Sequence, residues 1–562
     1  MKKYYFTILL LLPFLSFAQI SITSGITPDL SAYGEATNYP GEGEYQIFLS
    51  PDNILDKPIF VVDGFDPGDA RDITGLYNSL DFVGTAGNQN LADLVRDEGF
   101  DVIILNFPTY TRTADDVIVD GGADFMERNA MVLVELIEMI NEDKAGNSPE
   151  QNVILGPSMG GVIARYALNY MEANSFDADT RLYISFDSPH HGANVPIGLQ
   201  HQLNFLAYNE TYDVAEVVPL INSLLKSAAA RQLLTDHLVA HLSGEDLFTF
   251  DPELKQPQPH PFRTIFNTNI NALTPSGFPE MTRNVAIING SGINNPYFAM
   301  GNSGPTVTNS YPVISTTLSI PLSIFTADIL IDVNFTPEAG ATNTVSSISI
   351  QILGGEIDSS IAESESFSYS NGVDAAPGGL FDLTGITGEL GTDGGIASDF
   401  VNAIAIDKFN FIPSVSALAV EFTNDEINWN HTIDLGGSNP TTSTPFANTF
   451  TPNDNEPHVQ LTEANVAFAL DEILNPPLLI SNSELIAIQL EKNPINGEIV
   501  LRSSMNSNAN ISIVDVAGKT VFNTTTTLND GTSIPVDLAS GFYILNVVTE
   551  NNTRFVTKLI AQ

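Results

Sequence analysis

Ser158 is the residue whose surroundings point most directly to chemistry. It lies in Gly156-Pro157-Ser158-Met159-Gly160, with Gly161 following. A hydroxyl is a weak nucleophile until a base takes its proton and a carboxylate orients that base. Eight histidines and 67 acidic side chains are available for those two roles, and there is no cysteine to supply a thiol instead. Gly156 and Gly160 leave no side chain where a sharp turn would bring backbone segments together. Ser158 is then expected at the apex of that turn, its hydroxyl exposed at the positive end of the following helix.

Such a turn needs a strand before it and a helix after it. Val153, Ile154 and Leu155 form a short, β-branched apolar run that reads as a buried strand, and a helical pattern continues from the motif through Met171. The neighbours repeat this alternation. Ile59 to Val62 is a buried strand ending at Gly64, Leu91, Leu94 and Val95 have helical spacing with Gly99 as the stop, and Val102 to Leu105 is a further strand closed by Pro108. Phe125 to Ile140 predicts a long amphipathic helix, and Leu182 to Phe186 and Val285 to Ile288 predict two more strands. Unbroken apolar strands alternating with helices predict an α/β unit, a mostly parallel sheet covered on both faces. Residues 20 to 50 carry weaker signals and read as edge strands.

Two stretches interrupt the alternation. From about 197 to 282 the chain becomes helical and irregular, with a Pro-rich segment at Pro257 to Pro261. Its place between strands flanking the site predicts a helical lid insertion. From about 303 to 375, Ile329, Ile331, Val333 and Phe335 alternate with polar residues, as do Ile348, Ile350 and Ile352. That period of two predicts a β-rich insertion of half-exposed antiparallel strands, in contact with substrate or purely structural. Phe409 to Leu418 and Thr451 to Leu474 then return to the catalytic unit.

Gly-x-Ser-x-Gly between a buried strand and a helix resembles the nucleophile elbow of the α/β-hydrolase superfamily. The resemblance implies the chain order Ser, then Asp or Glu, then His, with the His on the loop before the last helix. His458 fits, in a turn-rich loop from Asn453 to Gln460, ahead of a helix capped by Thr462 with Val466, Leu470 and Ile473 on one face. His431, beside Trp429, the only tryptophan, is the second candidate. For the acid, Asp187 ends the strand after the elbow helix, the strand from which pancreatic-type lipases take theirs. Asp407 precedes a Phe409 to Leu418 segment that loosely resembles the acid-bearing segment of bacterial lipases, its spacing displaced by two residues. Asp425 and Asp454 are further alternatives.

The resemblance also implies an oxyanion hole. The turn after the Ile59 to Val62 strand has Asp63 where those hydrolases place a His, but Gly64-Phe65 fits the turn, so the backbone N–H groups of Phe65 and Met159 are expected to hold the developing negative charge. Ser188-Pro189-His190-His191-Gly192 resembles a turn of lipases and related esterases, including the inositol-deacylase branch. His190 and His191 are accordingly expected to be structural rather than metal- or substrate-binding. His201, His237, His241 and His260 fall in the lid insertion and read as surface or helix-face residues. The implied activity is that of a serine carboxylic ester hydrolase, esterase- or lipase-like, acting through an acyl-enzyme on a small-molecule or lipid-like ester, with no cofactor and no metal. An amidase or peptidase on the same fold, or a catalytically inert surface binding or adhesion protein, are the alternatives.

With 562 residues the chain is too long for one ordinary domain. Lys and Arg number 21 against 67 Asp and Glu, a formal charge of −46, which repels nucleic acid and anionic membrane. Residues 1–18 read as a signal peptide: Lys2 and Lys3, the apolar run Tyr4 to Phe14, then Ser16-Phe17-Ala18 as a cleavage site, leaving a mature chain from Gln19. No later apolar run is long enough for a transmembrane anchor. Residues 19–480 are assigned to the hydrolase unit and 487–562 to a separate all-β sandwich. In the latter, Asn493 to Gly497, Ile511 to Lys519, Leu538 to Leu545 and Lys558 to Ile560 resemble the C-terminal sorting domain of type IX secretion. That resemblance implies the type IX machinery as partner, passage across an outer membrane, and a secreted or cell-surface product.

Overall fold

The computed structural model describes residues 19–562 apart from 210–216, 245, 322–325, 384–397, 400–401, 432–433, 436–442, 476–487, 504–506, 516–517, 530 and 550–553. The signal-peptide reading of residues 1–18 lies outside the described residues. The chain divides into two compact units, Met1–Leu470 and Asp471–Gln562.

The first unit is built on an eight-stranded sheet. Its strands are β1 (Ile20–Thr23), β2 (Glu42–Phe48), β3 (Pro58–Val62), β6 (Asp101–Asn106), β9 (Asn152–Pro157), β10 (Thr180–Phe186), β11 (Arg283–Ile287) and β18 (Asn448–Phe450), in the order β1-β2-β6-β3-β9-β10-β11-β18. Two short hairpins lie outside it, β4 (Asp81–Gly84) with β5 (Gly87–Asn90) and β7 (Thr109–Thr111) with β8 (Ile118–Asp120). From β6 to β18 every pairing in the large sheet is parallel, and only β1 and β2, at one edge, run antiparallel. All five residues of β3 and all six of β6 are buried, which is why they read as continuous apolar runs rather than alternating ones.

Helices α1 (Ile73–Asn78), α2 (Leu91–Asp97), α3 (Met126–Lys144) and α4 (Met159–Ala173) are interleaved with the first strands. Asn90 caps α2, its side chain accepting from the N–H groups of Ala92 and Asp93, and Gly99 follows that helix in the left-handed region at φ +91°. Core residues from α3, α4 and the strands, among them Met131, Leu133, Ile137, Ile163, Phe60 and Ile103, form one apolar cluster.

Between β10 and β11 come α5 (Ile197–Tyr208), α6 (Val217–Leu224), α7 (Ala228–Leu233) and α8 (Pro261–Ala272). After β11, a four-stranded antiparallel sheet follows: β12 (Pro312–Pro321), β13 (Thr326–Asn334), β14 (Thr342–Ile352) and β15 (Gly355–Glu365). The two insertions pack on each other. Leu199, Phe205 and Leu206 of α5 share a core with Ile329, Ile331, Ile348 and Ile350, and Gly198 lies so close that a Cβ there would stand 2.3 Å from Val345 O.

This packing corrects one expectation. His201, His237, His241 and His260 are buried, not surface residues. His201 sits between the Ser346 and Ser360 hydroxyls at 2.7 and 2.9 Å. His237 Nε2 is 2.8 Å from Leu225 O, His241 lies between Asp236 and Leu254 O, and His260 caps α8 by accepting from Phe262 N–H. An imidazole can satisfy two polar partners at once, so it suits a contact between two layers that water does not reach.

The second unit holds two antiparallel sheets, β19 (Ile488–Leu490), β20 (Glu498–Ser503) and β23 (Thr532–Pro535) in one, and β22 (Thr520–Leu528), β21 (Ser507–Asp515), β24 (Gly541–Thr549) and β25 (Arg554–Ala561) in the other. Ile499 and Leu501 from the first meet Ile511, Ile513, Leu545 and Val547 from the second in a single core. That is a β-sandwich.

Candidate active site

Ser158 follows β9 at the N-cap position of α4 with φ 53° and ψ −132°, a conformation that a non-glycine residue holds only when its surroundings enforce it. The enforcement is visible. Ser158 N–H donates to Phe186 O at 2.8 Å, a Cβ on Gly156 would stand 2.4 Å from Gly161 Cα, and one on Gly160 would stand 2.2 Å from Val62 O. Strand, turn and following helix are therefore in backbone contact, and Ser158 is pushed outward, half-buried, at the tip.

Two further side chains meet it. Ser158 Oγ donates to His458 Nε2 at 2.8 Å, and His458 Nδ1 donates to Asp187 Oδ2 at 2.6 Å. Asp187 is fully buried and can only accept, so the imidazole carries its proton on Nδ1 and turns the Nε2 lone pair to the serine. Asn289 N–H donates to the other carboxylate oxygen at 3.1 Å. The structure thus brings Ser158, His458 and Asp187 into one hydrogen-bonded line across 300 residues of sequence.

The other candidates stand elsewhere. Asp407 accepts from Gly301 N–H and Asp454 from Asn295 Nδ2, and the side chain of Asp425 lies outside the described residues. His458, not the buried His431, holds Ser158. His190 Nε2 is 2.9 Å from Ser185 Oγ between the rings of Phe278 and Phe446, and burial drives its pKa well below the usual value, keeping it neutral. His191 Nε2 faces Val420 O at 2.8 Å. Among the described residues, no group of three or more His, Asp or Glu side chains gathers as a metal-ligand set.

Sequence reasoning missed what holds the histidine loop. A hairpin of β16 (Gly378–Asp382) and β17 (Lys408–Pro413) lies against it. His458 N–H donates to Leu380 O at 2.8 Å, and Leu380 N–H to Glu456 O at 2.9 Å. Phe411 of the same hairpin presents its ring edge-on to the imidazole, 5.1 Å between centroids. Asn289 Nδ2 adds bonds to Glu456 Oε2 and Gln460 O, both 2.9 Å. Asn289, just past the end of β11, thereby steadies the histidine loop.

Above Ser158 passes the turn after β3. A Cβ on Gly64 would be 3.1 Å from Ser158 Cβ and 3.6 Å from Met159 N. Asp63 Oδ1 accepts from Gly64 N–H at 2.7 Å and from Arg71 Nη2 at 3.1 Å, while the same Arg71 nitrogen donates to Phe65 O at 3.1 Å. Arg71 thereby ties both ends of the Asp63–Phe65 turn together. Burial of Asp63 outweighs Arg71 and pushes its pKa up to about 7. Met159 N–H heads the fifteen-residue α4, where the helix dipole favours an anion.

Comparison with known proteins bears on the two units unequally. Residues 493–562 match the secretion system C-terminal sorting domain family. Residues 493–562 are therefore a type IX sorting tail, and the chain is directed to the cell surface or beyond it. No helix among the described residues is long and apolar enough to cross a membrane. No curated protein matches the chain. Among solved structures, similarity is found to an esterase from Pyrobaculum calidifontis (11% identity, 48% of this chain and 74% of that one, TM-score 0.23). A peroxisomal alpha-beta-hydrolase from Saccharomyces cerevisiae is similar at 12% identity, 48% and 73% coverage and TM-score 0.24. A highly thermostable carboxyl esterase from Bacillus coagulans is similar at 14% identity, 48% and 79% coverage and TM-score 0.23. Scores this low carry no weight for function, which has to stand on the chain's own geometry.

Proposed function

We propose that the first unit is a secreted serine hydrolase that cleaves carboxylic esters through an acyl-enzyme. One observation supports this above all: the Ser158–His458–Asp187 line, with Ser158 strained at the head of a helix. In this reading Ser158 Oγ attacks the ester carbonyl as His458 Nε2 takes its proton. The imidazolium, steadied by Asp187, returns that proton to the leaving alcohol. Phe65 and Met159 N–H groups face the oxyanion, where removing one donor typically costs 10²–10³ in rate. Water then repeats the sequence on the acyl-enzyme.

Residues 19–480 are proposed to form the catalytic unit and 487–562 the sorting domain. The helical insertion at 197–282 acts as a cover over Ser158 rather than a detached flap, since α5 is buried against β13 and β14.

Replacing Ser158 by Ala is expected to abolish turnover of p-nitrophenyl acetate and covalent labelling by a fluorophosphonate probe. Undiminished turnover or labelling rejects the nucleophile, and an unlabelled wild-type chain points to an inert binding protein. In the same assay Asp187→Asn should lose about 10⁴ in kcat through the wrong imidazole tautomer. Asp407→Asn should stay within about twofold of wild type, because Asp407 is engaged with Gly301. The reverse ranking would transfer the acid role.

A further inference from the structure

Ser158 opens into a cavity of about 160 Å³. Apart from Ser158, every side chain lining it among the described residues is apolar. The walls come from parts of the chain far apart in sequence: Ile221 and Leu225 from α6 and its end, Leu233 from α7, and Phe409 and Phe411 from β17. Phe65 of the oxyanion turn is also part of the lining. The helical insertion and the hairpin that holds His458 thus jointly enclose one greasy slot at the nucleophile.

We infer that this slot receives the acyl half of the substrate, an apolar chain of about six to eight carbons. The inference rests on the ester-hydrolase reading and names the substrate class within it. The size follows from comparison with an apolar protein cavity of about 150 Å³, which stays dry and takes up benzene, a six-carbon guest. The chemistry follows from the walls. A sugar hydroxyl or peptide amide in the slot would find no partner, and each one left unpaired costs about tenfold or more in binding. The choice of the acyl half follows from the position of the base. His458 must reach the leaving oxygen, yet it is absent from the lining while Ser158 is part of it. The alcohol therefore departs on the imidazole side, and the chain bonded to the Ser158 oxygen runs into the slot.

The test is a series of p-nitrophenyl esters from acetate to palmitate, with a second series of acetates of increasing alcohol length. On the acyl series kcat/KM should climb by up to about fourfold per methylene, then level between hexanoate and octanoate. The alcohol series should be nearly flat. Ala230→Phe, which fills the slot from α7, should lower the octanoate-to-acetate ratio of kcat/KM at least tenfold. Because overpacking can unfold a core, Leu233→Ala is the companion, and it should move the optimum to longer chains. A flat acyl series with Ser158-dependent acetate turnover overturns the slot and leaves the hydrolase standing, as does a chain-length preference found only on the alcohol side. Loss of Ser158 dependence for every ester overturns both readings together.

Discussion

Asp63 stands where the resemblance to hydrolases places a histidine, and it is fully buried with one oxygen, Oδ2, unpartnered. Its pKa of about 7 in the fold lies above the roughly 3.9 of an unfolded Asp. Between those values the folded state binds more protons than the unfolded one, so stability falls as pH rises from about 4 to about 7 and then levels. The ceiling on that loss is about 4 kcal/mol. Asp63→Asn keeps an oxygen for Gly64 N–H and removes the buried charge. It should therefore leave the unfolding midpoint near that of wild type at pH 4.5 and raise it at pH 8. Urea titration followed by Trp429 fluorescence measures this, and a difference that does not change with pH refutes it. At this scale Ser158 and His458 were legible because each sits in a local context with a recognisable shape, a strand–turn–helix and a loop before a capped helix. Asp187 was legible only by its place at a strand end, with Asp407 as a rival, since nothing local distinguishes a buried acceptor from a surface one. The buried His201 of the insertion was not legible, because its partners Ser346 and Ser360 lie on strands well over a hundred residues away.

The hairpin of β16 and β17 decides whether those side chains meet. The strands of the large sheet announce themselves as apolar runs, but this hairpin pairs Leu380 with Asn410 across a long interval, and such pairing leaves no local periodicity to read. Its effect on the site is close-range. Gly379 lies directly over the Asp187 carboxylate, and a Cβ there would stand 1.9 Å from Oδ2. No side chain fits without moving either the carboxylate or the strand, and the strand also carries the Leu380 carbonyl that holds His458. Gly379→Ala should consequently cut kcat about 100-fold or more, the scale of an ångström misplacement, with KM for acetate esters little changed. Fluorophosphonate labelling should slow in parallel while the far-ultraviolet circular dichroism stays that of wild type. Wild-type kcat in this variant would show that Asp187 has room to spare and that the hairpin does not set its position.

Over the whole molecule the two units divide the work. The formal charge of −46 over the full sequence repels polyanions, and the sorting domain carries the address. That domain was legible in outline because its four short segments resemble a known sorting domain in order and spacing, whereas the catalytic unit had to be assembled from periodicity and turns. Its two sheets share a core of their own, with Ile499, Leu501, Ile511, Ile513, Leu545 and Val547 buried together. A module that buries its own apolar faces is able to fold when attached to a different protein. Residues 487–562 fused behind a reporter with a periplasmic signal should therefore carry that reporter to the surface or medium of a bacterium with a type IX system. The same reporter without the fusion should remain periplasmic. Conversely, the chain ending at residue 480 should keep its Ser158-dependent ester turnover but accumulate in the periplasm. A fused reporter that stays inside, although folded and undegraded, would mean that the address needs more of the chain than this sandwich.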